Sequence, residues 1–348
     1  LTNNTTGTHN VAVGSSDGAS GATLGTNSTG SQNTALGMQS LGSNTTADDN
    51  TAVGYQALKA NTTGSLNVAV GKSALTANTT GAKNTVVGVI AGDALTTGGR
   101  NTALGYEALS SDTKGDVSVA IGNGALKTQN FTSATDTYNT AVGHDAGAAV
   151  TTGTENTLIG GRAGDALTDA DKNVAIGSEA LSADTLGSNS VAVGRAALGN
   201  QNFTSATDTY NTAVGARAGV EVTTGTNNTL IGGLTGDSIT TGDNNVFVGA
   251  LAGDATDDGH SNVGVGYEAL SANCGYENTA VGNNALKAVT GIQNTAVGTL
   301  AGLNITSGGN NVFIGRDAGI TGSPGGNTVT TSNKLGLGDE NISAAHIQ

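Results

Sequence analysis

The chain has 348 residues, 56 of them glycine, with no tryptophan, one proline and 3% aromatic residues, so the large side chains that fill a broad globular core are missing. Charged residues make up 11% and the formal charge is −14 with no basic stripe, which excludes a charge-rich disordered chain and a nucleic-acid footprint and opposes binding to an anionic membrane. No apolar run approaches the roughly 20 residues of a membrane span, and Cys274 has neither a disulfide partner nor zinc-ligand spacing.

In chain order, residues 1–32 read as irregular N-terminal coil. Leu1 to Asn10 lack the basic and apolar regions of a signal peptide, and the chain opens in mid-pattern, which predicts a processed or trimmed product. A five-residue core first closes at Gly14: Asn, then Thr or Val, a small or apolar residue, then Val, Ile or Leu, then Gly. It recurs in 18 copies to Gly315, and of the 17 gaps between closing glycines 12 are 17 residues, two are 16, two are 21 and one is 23.

Residues 33–319 are the regular part. The copy Asn50, Thr51, Ala52, Val53, Gly54 is representative, with Ala57 three residues after its glycine and a polar turn from Asn61 to Gly64. Ala holds the place of Ala57 in 15 of 18 copies, with Asp17, Ser40 and Thr235 as exceptions. The second and fourth core positions lie two apart, so the Thr/Val and Val/Ile/Leu columns share one strand face, predicted to be buried. Asn and Ala, with occasional Leu158, Leu230, Phe247 and Phe313, occupy the other face. Each unit reads as strand, Gly bend, short second strand or edge, and polar turn, and no stretch is long and breaker-free enough for a helix. The predicted fold is all-β: a parallel β-solenoid, a β-roll or β-helix, of about 17-residue coils stacked at about 4.8 Å, roughly 80 Å for the whole run. A narrow coil encloses only one face. Ala on the other predicts close packing against further copies in a parallel homotrimer, which also protects sheet edges.

The segment QNFTSATDTYNTAVG occurs at 129–143 and again at 201–215, and each copy adds four residues to its coil. These additions predict equivalent outward bulges on one side of the stack. Phe131, Tyr138, Phe203 and Tyr210 gather aromatics there in a chain that has ten, which makes them candidate ligand contacts beside the alternative that the rings only cover the solenoid. The Asn-x-Ser/Thr residues Asn44, Asn61, Asn78, Asn130 and Asn202 read as turn residues. Asp254, Asp257 and Asp258 beside His260 form a conceivable calcium turn, weighed against solvated carboxylates; no other cofactor is implied. His9, His144, His260 and His346 are scattered, no phosphate loop is complete, and no residue set reads as catalytic. Residues 320–348 read as a C-terminal cap or transition segment.

The units NTAVG at 50–54 with Ala57, and SVAIG at 118–122 with Ala125, resemble the left-handed β-roll repeats in the heads of trimeric autotransporter adhesins. The longer form with AlaLeu, polar turn and ThrThrGly resembles repeats in the shafts of tailed-phage tail fibres. The resemblance spans about residues 10–319, and TSNKLGLG at 331–338 with the residues that end the chain is similar to the segment leading into the self-cleaving chaperone of such fibres.

The resulting expectation is a structural fibre or adhesin segment, extracellular or on a virion surface. It spans distance and presents a surface to a cell-surface glycan or protein receptor, with no catalysis, nucleic acid or membrane insertion. A subunit of a self-assembling extracellular filament is the alternative, and a polysaccharide-degrading tailspike a minor one.

Overall fold

The computed structural model describes residues 3–15, 22–320 and 330–338. They fall into two compact units, Leu1–Asn173 and Val174–Gln348. Each is all-β, without a helix among the described residues, and each is a parallel β-solenoid with coils of about 17 residues.

Every coil contributes one three-residue strand. In the first unit Val11–Val13 pairs in parallel with Thr34–Leu36, that with Thr51–Val53, and that with Val68–Val70, each residue opposite its counterpart in the repeat. The ladder continues through Thr85–Val87, Thr102–Leu104, Val119–Ile121 and Thr140–Val142 to Thr157–Ile159. The second unit runs in the same way from Val174–Ile176 to Val312–Ile314 and then adds Leu335–Leu337. That last strand lies in the segment expected to be a cap, so the ladder takes in a strand beyond the 18 copies counted; residues 321–329 and 339–348 of that segment lie outside the described residues.

The closing glycine is required by both torsion and space. Gly54 sits at φ +134, and a Cβ there would stand 2.4 Å from the carbonyl oxygen of Gly71 in the next coil. In the coil after Gly54, three further bends use left-handed non-glycine residues, Gln56 (φ 60), Leu58 (φ 51) and Leu66 (φ 63); other coils place a glycine such as Gly92 at one of them. Such torsions cost free energy singly. Here each bend's N–H donates to an adjoining coil: Gln56 to Met38 O at 3.0 Å, Leu58 to Ala74 O at 3.0 Å and Leu66 to Asp48 O at 3.1 Å. The expected second strand is therefore a succession of bends.

The faces are the reverse of the expectation. Ala35, Ala52 and Ala69 at the middle strand position are completely buried, as are Asn33, Asn50 and Asn67 before them. Thr51 and Val53 are half-buried, and Val13, Leu36, Leu104, Ile231 and Ile314 are exposed. The physical reason is volume and hydrogen bonding together. Leu58 and Ala57 already fill the facing wall of the narrow coil, so only a small residue fits between the strand ends. Asn belongs inside because its amide completes the stack: Asn67 Oδ1 accepts the Asn84 backbone N–H at 2.9 Å and Asn84 Nδ2 at 3.1 Å, while Asn84 Nδ2 also donates to Gly98 O at 3.0 Å.

A second inward column starts in the polar turns. Asn27, Asn44, Asn61 and Asn78 are buried and linked amide to amide, Asn61 Nδ2 to Asn44 Oδ1 at 3.0 Å and Asn78 Nδ2 to Asn61 Oδ1 at 2.9 Å. The next coil places Leu95 in this column, beside Gly92, where a Cβ would meet Leu95 Cδ1 at 3.2 Å and Leu75 Cδ1 at 3.3 Å. In most coils the core thus trades volume between columns: a leucine at the bend goes with a polar turn residue and a glycine makes room for an aliphatic one, with Leu286 beside Val289 and Gly253 beside Thr256 as exceptions.

Candidate functional site

Each unit contains one of the two added-residue coils, built alike. In the first, the strand Gly115–Asp116 pairs in parallel with Thr135–Asp136. In the second, Gly187–Ser188 pairs with Thr207–Asp208. Thr132, Ser133 and Ala134 are exposed, as are Thr204, Ser205 and Ala206, so the added residues do project outward.

Beneath each bulge the asparagine stack is interrupted by Ser118 or Ser190, and a buried polar network replaces it. Asp112 Oδ1 accepts from the Gly115 N–H at 3.0 Å and the Phe131 N–H at 3.1 Å, and Oδ2 accepts from Gln129 Nε2 at 2.7 Å. Gln129 also donates to Ser118 Oγ at 2.8 Å and accepts from Asn139 Nδ2 at 2.9 Å, which restores the stack. Asp184, Gln201, Ser190 and Asn211 repeat the arrangement in the second unit. Burial pushes the Asp184 carboxyl above the ordinary carboxylate range, against the opposing pull of its Gln201, Phe203 and Gly187 donors.

Of the four candidate contact aromatics, Phe131 and Phe203 are buried at 7% exposure, so their rings cover the coil. Tyr138 and Tyr210 are 56% and 58% exposed. Tyr138 Oη donates to Asp136 Oδ2 at 3.3 Å, and Arg100 Nη2 holds Asp136 Oδ1 at 2.7 Å and Asp116 Oδ2 at 3.3 Å. Tyr210 Oη donates to Asp208 Oδ2 at 3.4 Å, and Asn189 Nδ2 holds Asp208 Oδ1 at 2.7 Å.

Sequence reasoning missed a second tyrosine setting. The segment GYEALS at 105–110 recurs at 266–271. Glu107 pairs with Lys127 and Glu268 with Lys287, beside the exposed Tyr106 and Tyr267. The Lys127 ammonium and the Tyr106 hydroxyl hold the Glu107 carboxyl below its usual range. The recurrence of GYEALS was the available signal.

The acidic turn is dispersed. Asp254 is half-buried and Asp257 and Asp258 are exposed; Asp257 accepts from the Thr240 hydroxyl, and its backbone N–H donates to Asn273 Oδ1 at 3.1 Å. Burial, with Glu268 and Asp237 nearby, pushes the Asp254 carboxyl up. Among the described residues no three His, Cys, Asp or Glu side chains gather as a metal centre would need. His260 stacks on Tyr276 with ring centroids 5.0 Å apart, and His346 lies outside the described residues. Cys274 is buried with its thiol pushed up to about 11 by desolvation, and it meets Thr256 Oγ1 at 3.2 Å in the inner turn column. Asn44, Asn61 and Asn78 are buried, whereas Asn130 and Asn202 are exposed. Asp17 also lies outside the described residues.

A surface feature that recurs in every described three-residue strand is the outward face. Within each unit, coil after coil presents Thr or Val and then Val, Ile or Leu at half-buried or exposed positions. Compared with known protein families and with curated proteins, the chain matches none.

Proposed function

We propose that the chain is a non-catalytic structural segment of an extracellular or virion-surface fibre or adhesin, in which the outward Thr/Val and Val/Ile/Leu face of each solenoid unit is covered by further copies of the same chain in a parallel homotrimer. The observation that carries this reading is the exposed aliphatic face itself. Val13, Leu36, Leu104, Ile231, Val297 and Ile314 are 40–56% exposed in strands whose inner face is already complete. A partner must match a ladder repeated coil by coil, and a second copy has that period by construction. Thr and Val alternate in the second column as near-isosteres, which favours a shape-matched contact over a hydrogen-bonded one.

The absence of chemistry in this reading is supported by how the buried polar side chains are used. Apart from the buried Asn78 Oδ1, which has no partner, the Asn, Gln, Asp and Ser side chains of the two inner columns spend their donors and acceptors on neighbouring coils and on their own turns. The bulges with Tyr138 and Tyr210 are the surfaces this segment would present to a receptor.

Light-scattering mass in solution, with an electron micrograph, tests the assembly. Particles of three chains support the reading. Long polymers would favour the filament instead, and a single 33.7 kDa chain would overturn the account of the face.

A further inference from the structure

We infer that Tyr138 in the first unit and Tyr210 in the second each form, with the carboxylate two residues before them, a subsite for a neutral pyranose sugar. The inference rests on the reading of the chain as a presenting scaffold, but not on its state of assembly.

Tyr138 and Tyr210 are the most exposed aromatic side chains among the described residues. Their backbone is held in place. Each stands at a left-handed backbone position, φ 52 and φ 51, between residues bonded into the stack. Thr137 N donates to Asp116 O and Thr209 N to Ser188 O, both at 2.9 Å, and the carbonyls of Thr137 and Thr209 accept from Glu155 and Asn227 at 2.8 Å. Each phenol is tied to its carboxylate by the bonds described above. The same carboxylate is steadied by an arginine in one copy and by an asparagine amide in the other. Different donors thus hold one ring-and-carboxylate arrangement twice. Core packing gives no reason for this, because both side chains point outward.

An exposed tyrosine ring on a backbone bonded into the stack offers a face on which the C–H side of a pyranose can lie. The carboxylate oxygens keep lone pairs that can accept sugar hydroxyls at charge-assisted strength. Charge then selects the ligand. Asp208 has no cation among its bonded partners here, and the chain carries −14 overall, so uronic acids, sialic acids and phosphorylated sugars are repelled. In the first copy Arg100 is shared by Asp136 and Asp116, so that cluster keeps one net negative charge, as Asp208 does in the second, and an anionic sugar is disfavoured at both. A neutral hexose suits both copies.

The test uses the full chain with 13C in its tyrosine rings, which gives six ring signals. It is titrated with the methyl glycosides of glucose, mannose and galactose, with N-acetylglucosamine, and with sialic acid as the charged comparison, each to about 100 mM. The expected result is that Tyr138 and Tyr210 shift together with at least one neutral sugar while Tyr55, Tyr106, Tyr267 and Tyr276 do not. Asp136→Asn and Asp208→Asn, each with an unchanged melting curve, are expected to weaken binding about fivefold at their own ring only. No shift at either ring, an equal shift of all six, or equally tight sialic acid would overturn the assignment. Solution mass reports the assembly and ring shifts report the sugar, so each reading can fail alone.

Discussion

A Cβ on Gly264 would stand 2.8 Å from Cδ1 of Phe247, its partner in the adjoining strand. Phe313 and Gly336 repeat the relationship at 2.7 Å, and these are the two described strands with glycine where most others have alanine. Gly253, at the bend, completes the cradle: a Cβ there would lie 2.4 Å from the same Phe247 ring.

Gly264→Ala is therefore expected to cost about 1–3 kcal/mol by overpacking, and Phe247→Ala about 3–5 kcal/mol by leaving a cavity. The triple change Phe247→Ala, Gly253→Leu and Gly264→Ala rebuilds the alanine-and-leucine coil used around Ala52 and Leu58. It should recover most of the loss in a urea unfolding series. Strict additivity of the three effects would contradict the volume exchange.

Gln129 joins a fully buried carboxylate to the asparagine stack. Gln129→Leu removes one of the donors to Asp112 and one of the two acceptors of the Asn139 amide, so a loss of about 2–4 kcal/mol is expected, with Gln201→Leu costing a similar amount in the second unit. Thermal melts decide this, and a change below about 0.5 kcal/mol would mean that the network adds nothing.

Asp184 gives stability a defined pH slope. Burial raises its folded-state pKa above the unfolded value, so its contribution is most favourable below the unfolded pKa near 4 and is lost as pH rises through the folded pKa. Unfolding curves of the native chain minus those of Asp184→Asn should show native stability falling from about pH 4 upward relative to the variant. A difference that rises with pH would reverse the sign and contradict the burial argument.

The period, the strand positions and the parallel stacking were legible because the spacing of Gly54, Gly71 and Gly88 fixes which residues stack. The faces were not. A three-residue strand such as Thr51–Val53 offers too short an alternation to say which side is larger, and two aliphatics outweigh one alanine on any hydropathy count. The opposing signal lay in Ser118 and Ser190: they replace the asparagine 72 residues apart, in the same coils where Asp112 and Asp184 stand ahead of Gln129 and Gln201. A solvent-facing asparagine has no need of such compensation. The aromatic bulges were legible as bulges, but the split between buried Phe131 and exposed Tyr138 depends on the backbone bond from Phe131 to Asp112, which composition does not reveal.

The outward face is tested most directly by the solution mass of a chain carrying Val53→Asp, Val70→Asp and Val87→Asp, three successive outward positions of the first unit. The native chain is expected at three times 33.7 kDa. The variant is expected as a single chain that keeps its β-sheet circular dichroism and melts within about 5 °C of a native chain diluted to the same state. An unfolded variant would put these valines in the core after all, and a variant that still assembles as three chains would show that this face is not what the copies share.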